Sequence, residues 1–426
     1  MPSAPYPPSW YAANAASLPP QPALDGDLIA DVCVLGAGYT GLSAALELAE
    51  AGYKVVILEA ERVGWGASGR NGGQVLPGFG CGEAKLVSIL GRDDARKLFD
   101  WSCEGVQLIH DRRERYGIDC DWRDGHATVA IKPRQIVELQ AWQRDLESDF
   151  GYSMAWWGRE TLRAQLDSPR YLGGLYDPHA GHLHPLKYAL GLAGAALDYG
   201  VRICEGSRVL RITRGAKPIL HTATGSVRCD AVVLAGNALV HGIAPELDHK
   251  IMPVGTYIGA TSPLPQGVAA SLIRNGMAVA DTNWALDYFR LGADGRLLFG
   301  GRASYSNLTP PNLRAVMRQR MHRVFPQLGD LDFEYLWGGT IDISLNRAPH
   351  WGRLDPNIYF AQGFSGHGVA AAGLAGRVIA EAIRGQHERL DVFERIDHHD
   401  FPGGRALRTP LLVAAMAWYK LRDALW

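Results

Sequence analysis

Between residues 31 and 59 the hydrophobic pattern changes period twice. Asp31-Val32-Cys33-Val34-Leu35 is a short, largely apolar run, as expected of a strand covered on both faces in a parallel sheet. It passes into Gly36-Ala37-Gly38-Tyr39-Thr40-Gly41, after which Leu42, Ala45, Leu46 and Ala49 recur at helical spacing with Glu47 and Glu50 on the outer side. Gly52 ends that helix, and Lys54 to Leu58 predicts a second buried strand closing at Glu59. Similar signals return later. A helix containing Leu186 to Leu197 precedes a strand-like segment from Gly200 to Val209, and Asp230 to Asn237 predicts another buried strand ending in small residues. Tyr359-Phe360-Ala361 leads through a glycine-rich turn into a helix over about 370–383.

The ends of the chain are patterned differently. Residues 1–24 lack a positive n-region and an apolar h-region, so they do not read as a secretory signal. Their Pro7-Pro8 and Pro19-Pro20 pairs predict an extended arm over the surface rather than a packed element. No apolar run reaches the roughly 18 residues needed to span a bilayer. The longest, Pro410 to Tyr419 followed by Lys420 and Arg422, predicts a terminal helix packed on its own domain; the sharper reading is an interfacial helix docking on a membrane.

Composition narrows the class. At 426 residues, two joined domains are the reasonable expectation. Lys plus Arg number 43 against 44 acids, so charge gives no support to nucleic-acid binding or to docking on anionic lipid. Six cysteines (Cys33, Cys81, Cys103, Cys120, Cys204, Cys229) are scattered without a Cys-x-x-Cys, which fits a reducing, cytoplasmic setting. His179, His182 and His184, like His398 and His399, match no standard zinc spacing, so no metal is expected.

The first strand, turn and helix form a dinucleotide site in register. Gly36 permits the tight turn, Gly38 lets backbone approach a pyrophosphate and Gly41 allows close helix–strand contact. With Tyr39 and Thr40 they open a helix whose N–H groups face phosphate, and Glu59 is placed for the adenosine ribose hydroxyls. A carboxylate there repels a 2′-phosphate. The choice between NAD and FAD falls on the next segment, Arg62 to Gln74, where five glycines in a dozen positions form neither helix nor strand. A backbone-lined loop after the ribose-binding acid suits FAD, whose flavin half extends beyond the pyrophosphate.

With these residues in view, the chain resembles the D-amino acid oxidase-like superfamily of FAD-dependent oxidoreductases, and within it the gamma-glutamylputrescine oxidoreductases. The resemblance rests on Tyr11-Ala12-Ala13, the run from Glu59 to Gln74, Gly181-His182-Leu183-His184-Pro185-Leu186-Lys187-Tyr188, Trp337-Gly338-Gly339-Thr340, Gly363-Phe364-Ser365-Gly366-His367-Gly368 and Leu407-Arg408-Thr409-Pro410. It implies an α/β fold: a Rossmann-type FAD-binding domain with a second, antiparallel-sheet α+β substrate domain, of the glutathione reductase-type, D-amino acid oxidase-like class. The FAD part is expected from 27–89, 184–243 and 335–404, the substrate part from 90–183 and 244–334, with an arm at 1–26 and a C-terminal helix at 405–426. Strand-like segments at Thr128 to Ile131, Ile251 to Ala260, Tyr288 to Leu291 and Leu297 to Phe299 agree with the second sheet.

The resemblance implies oxidative deamination: hydride leaves the carbon bearing the amine for the flavin, the imine is hydrolysed, and oxygen yields peroxide. Putrescine degradation within polyamine catabolism is the implied setting, with a small-molecule amine as substrate. A dehydrogenase passing electrons to a quinone or carrier is the first alternative, and a non-catalytic flavoprotein subunit the second. Besides the residues above, FAD is expected to meet Ala60, Arg62, Gly66, Ala67, Ser68, Arg70, Asn71, Gly72, Gly73, Gln74, Val209, Ala235, Gly236, Gly339 and the turn Gly363, Phe364, Ser365, Gly366, His367, Gly368 and Val369. The cofactor is expected to be non-covalent, since Cys81 is the cysteine nearest the glycine-rich loop and none lies near His367 in sequence. His367 is the candidate catalytic residue, beside the flavin; capping of the following helix is its structural alternative. Arg290 is the candidate clamp for a substrate carboxylate, or else part of a surface salt bridge. Tyr257, Trp284, Tyr288 and Trp337 form the candidate aromatic wall, with ordinary core packing as the alternative for each.

Overall fold

Three sheets organise the chain in a computed structural model that describes residues 5–16, 18–240, 242–283, 286–304 and 309–402. The apolar runs Val32–Leu35, Val55–Leu58, Ala231–Leu234 and Ile358–Gln362 bury almost every side chain and lie in one six-stranded sheet. Its order is His350–Asp355, Ile358–Gln362, Ala231–Leu234, Val32–Leu35, Val55–Leu58, Arg202–Cys204. All neighbours are parallel except the His350–Asp355 edge, joined by a hairpin. Leu234, Leu35 and Leu58 stand in register, so Ala235, Gly36 and Glu59 emerge together at the carboxyl edge. That edge is where open α/β sheets bind ligands.

Small residues draw two helices together over this sheet. A Cβ on Gly376, in helix Gly368–Ile383, would lie 2.5 Å from the Thr40 carbonyl oxygen in helix Tyr39–Glu50. Ser43 also donates to the Gly373 carbonyl at 2.6 Å, so neither helix can move without the other.

The second sheet has nine strands and is mostly antiparallel, with one parallel joint between Ala278–Asp281 and Arg123–Ala130. It follows the expected segments, extended to Ile251–Thr261 and Leu297–Ser304. Two of its strands come from stretches assigned to the FAD part. Phe333–Ser344 pairs along its length with Ile251–Thr261, and Gln74–Val75 pairs with Gly181 and His182. The glycine-rich loop is therefore the seam between the sheets. A third, four-stranded sheet (Gly26–Ile29, Gly225–Arg228, Ile219–His221, Arg211–Thr213) flanks the first.

The extended arm expected at the N-terminus is corrected. Trp10–Asn14 is a helix capped by Ser9, with Trp10 2% and Tyr11 0% exposed. Two large aromatic rings gain more from burial than the flanking prolines dictate. Among the described residues no helix is long and apolar enough to cross a membrane. The predicted helix at 405–426 lies outside the described residues.

Candidate active site

The dinucleotide end is shaped by close backbone approach. Gly36 has φ +103°, and a Cβ there would meet the Ala235 carbonyl oxygen at 2.8 Å. A Cβ on Gly41 would stand 2.0 Å from the Gly36 oxygen, so both positions exclude side chains. Gly38 is the N-cap of the helix and makes no side-chain cap bond; the Tyr39 N–H is held by Ser68 Oγ at 3.0 Å. Ser68 thus ties the glycine-rich loop to the helix start. The Glu59 carboxylate accepts from the Ala37 and Glu61 N–H groups, each at 2.8 Å. Burial raises its pKa and those two bonds work against the rise. One bond per oxygen leaves further lone pairs for a ribose diol. Gly236 is boxed in by Val240 and Leu35, and Val209 is buried in the cluster behind the sheet with Cys204 and Leu220. Arg62 stacks over Tyr6 at 4.9 Å and faces Glu205 at 3.6 Å.

From Arg62 to Gln74 the loop is braced at every turn. Ala67–Gly69 is a single 3-10 turn, and the Asn71 side chain donates to the Ala67 and Ser68 carbonyls while accepting from Gly73 N–H at 2.7 Å. Gly73 has φ +73°, and a Cβ there would lie 2.1 Å from the Leu183 oxygen. Gln74 donates to the Val279 carbonyl. Arg70 stacks on Trp65 at 4.2 Å, donates to the Trp65 carbonyl and reaches the Gly338 carbonyl at 3.4 Å. Burial lowers its pKa to about 10, and among the described residues no carboxylate pairs with it. Gly339 lies beside it, 3.7 Å from the Arg70 Cβ to where a Cβ would be.

The turn 363–368 closes the site from the other side. Gly363, Ser365 and Gly366 all have positive φ, and the Asp342 carboxylate accepts from the Gly363 and Phe364 N–H groups. Burial pushes the Asp342 pKa up to about 6. His367 is the N-cap of Gly368–Ile383 without a side-chain cap bond, so it does not cap the helix. Its Nε2 lies 2.8 Å from the Pro77 carbonyl oxygen. A carbonyl only accepts, so Nε2 carries the proton and Nδ1 is the lone-pair nitrogen. Burial lowers the His367 pKa, opposed by that bond.

On the nine-stranded sheet, Tyr288 lies across two glycines: Cβ atoms on Gly72 and Gly300 would sit 2.7 and 2.0 Å from its ring. The Tyr257 ring packs over Gly338, and Trp337 donates to the Arg70 carbonyl at 3.0 Å. Trp284 lies outside the described residues. Arg290 differs from its expectation as a carboxylate clamp. Its Nε donates to Gly72 O at 2.8 Å and its Nη2 to Leu183 O at 2.9 Å and Tyr11 Oη at 3.1 Å, while Nη1 reaches Leu291 O. It is 2% exposed and makes no ion pair among the described residues, which also sets aside the surface salt bridge. Its donors hold backbone instead.

Three residues were not singled out as site residues, and a fourth, Asn71, was expected at the cofactor but not as a brace of the loop. Asp342 carried no local motif, Tyr11 lay in the proline-flanked arm, Asn71 was read only as cofactor-lining, and His126 stood alone in a strand. His126 is 2% exposed, with its Nε2 unpartnered among the described residues; burial, and after it the nearby His367, disfavours its charged form. His182 and His184 have structural partners in Gly276 O and Lys187 N–H. Cys81 follows Gly80, whose backbone abuts Ser365; burial pushes its thiol pKa up to about 12, against thiolate chemistry.

A cradle of glycines, an acid at the second strand end and an arginine unpaired among the described residues fit FAD: the first two would hold the adenosine diphosphate half, and the braced loop and the turn at 363–368 would face the ring. Comparison with known proteins agrees. The family profile described as "DAO: FAD dependent oxidoreductase" matches residues 31–382. The chain is 46% identical over 400 residues to a probable oxidoreductase, OrdL, of Haemophilus influenzae, covering 92% of both chains. It is 42% identical over 418 residues to the gamma-glutamylputrescine oxidoreductase of Escherichia coli, covering 98% of both. Glycine oxidase from Geobacillus kaustophilus shares the fold, with TM-score 0.74 at 20% identity over 87% of this chain and 99% of that one.

Proposed function

The chain belongs to the DAO family of FAD-dependent oxidoreductases, and on that premise we propose that it deaminates gamma-glutamylputrescine oxidatively. The products are gamma-glutamyl-aminobutyraldehyde, ammonia and, with oxygen as acceptor, hydrogen peroxide. The observation that carries the substrate is the 42% identity over 98% of both chains to the Escherichia coli enzyme of that name. Six unpaired cysteines support a cytoplasmic setting.

Bound FAD supplies the acceptor for the hydride leaving the carbon next to nitrogen. The chain's part is placement. Tyr288, Tyr257 and Trp337 line the substrate-side wall and orient the aliphatic amine against the loop. Arg70, a cation without an acid partner among the described residues, stands at the seam and suits an anionic group of a bound molecule. His367, neutral and fixed by Pro77, offers Nδ1 as a proton acceptor and avoids placing a second cation beside the amine. The loop and the turn at 363–368 cover the reacting carbon from either side and keep water from the hydride.

Anaerobic mixing of the yellow protein with gamma-glutamylputrescine, putrescine, sarcosine or D-alanine tests this. Bleaching by gamma-glutamylputrescine alone, then recolouring with peroxide in air, is the expected result. Bleaching by a different amine removes the substrate assignment, and bleaching without recolouring replaces oxygen by another acceptor.

A further inference from the structure

The N-terminal helix lies before residue 31, where the family match begins, yet it reaches the centre of the site. Tyr11 is fully buried, edge-on to Trp337 at 5.1 Å and to His184 at 4.8 Å. Its hydroxyl accepts from Arg290 Nη2 at 3.1 Å. The same guanidinium donates to Gly72 O and Leu183 O, while the Leu183 N–H donates to Gly73 O at 2.8 Å. Trp337, against the Tyr11 ring, holds Arg70 O. Three carbonyls of the glycine-rich loop, those of Arg70, Gly72 and Gly73, are thus held directly or through Leu183 by two residues that both rest on Tyr11.

The segment around Tyr11 spans both halves of the molecule. Tyr6 donates to Val63 O at 2.8 Å and Trp65 donates to Pro5 O at 3.2 Å, on the loop side. Trp10 donates to Asp294 Oδ2 at 3.0 Å, on a turn of the nine-stranded sheet. Among the described residues of this segment, Tyr11 is the one set against Arg290 and Trp337, which hold the loop at residues 70–73.

We propose that Tyr11 is a positioning residue for the bound flavin, acting through Arg290 and Trp337 to fix the carbonyl-lined end of the loop at Arg70, Gly72 and Gly73. This rests on FAD as cofactor but not on the identity of the amine. A substitution confined to the Tyr11 hydroxyl removes an acceptor from a buried cation without emptying the ring's site. The loop end then relaxes and the flavin is held less firmly, although the fold persists.

The test compares Tyr11→Phe with Trp10→Phe, each of which removes one hydrogen bond of the segment while keeping an aromatic ring. Apoproteins are titrated with FAD by fluorescence quenching, and the visible spectrum of bound flavin and the thermal midpoint are recorded. The expected result is ~10-fold weaker FAD binding and an altered flavin band for Tyr11→Phe, with Trp10→Phe binding like wild type. Equal effects of both variants, in step with lowered thermal midpoints, would make the segment a structural anchor and overturn the proposal. So would unchanged binding and spectrum in Tyr11→Phe. Wild-type chain that fails to bind FAD sinks the cofactor and this proposal together, whereas binding without bleaching by any amine sinks the substrate alone and leaves the Tyr11 comparison decisive.

Discussion

Glu59, just past a strand end, and Arg290, within a strand, are charged groups, and what each can do follows from which hydrogen-bonding sites the backbone already occupies. Glu59 uses one lone pair per oxygen on Ala37 and Glu61, which fixes the carboxylate and leaves it able to accept more. Glu59→Gln replaces one acceptor by a donor and is expected to weaken FAD binding by about 10–100-fold, read by titration of apoprotein. Arg290 is committed to Gly72, Leu183, Tyr11 and Leu291. Arg290→Ala should therefore slow bleaching by gamma-glutamylputrescine and by an N-acylputrescine lacking the carboxylate to a similar extent. A loss confined to the carboxylate-bearing amine would restore the clamp. The residue type announced a charge, but besides the neighbouring Leu291 its partners are the Leu183 and Gly72 carbonyls and the Tyr11 hydroxyl, 107, 218 and 279 positions away, which no local pattern displays.

Among elements, the strand–loop–helix over residues 32–50 was readable because its signals are local: an apolar run, three spaced glycines and a helical period. The strand Phe333–Ser344 was not assigned to its sheet, because Trp337-Gly338-Gly339 interrupts the alternation where Tyr257 and Arg70 need room. Glycines as slots give the element-scale test. Gly300→Ala sets a methyl within the Tyr288 ring and should displace that ring without touching the dinucleotide end. The expected outcome is FAD binding as in wild type and roughly 100-fold slower bleaching by the amine, by stopped-flow absorbance. Normal bleaching would remove Tyr288 from the substrate wall.

Across the whole molecule, burial of ionisable groups sets the response to acid. His126, His182 and His184 are each lowered to about 3, His350 to about 2 and His398 to about 4, all chiefly by burial. An unfolded histidine binds its proton near 6.5, so between that value and about 4 the unfolded state holds more protons and stability falls as pH drops, by up to ~1.4 kcal/mol per unit for each histidine. Asp281 and Asp342 act oppositely: burial raises them to about 7 and about 6, so their contribution is full below the unfolded value and lost as pH rises through those values. His110, His221 and His367 are also lowered and Glu59, Asp177, Asp287 and Glu381 also raised, so eight histidines stand against six acids. The histidines prevail, and the urea midpoint should be lower at pH 5 than at pH 7.5; a higher one would contradict neutral burial of these histidines. The sequence by itself determined the dinucleotide-binding class and the cofactor, because glycine spacing, strand runs and the acid at position 59 act within one short stretch of chain. Only the tertiary structure decided what Arg290 binds, that Tyr11 is an inner residue, and that Asp342 clamps the turn at 363–368. Each of those depends on contacts between residues tens to hundreds of positions apart, and such contacts exist only once sheets have formed and water has been excluded between them.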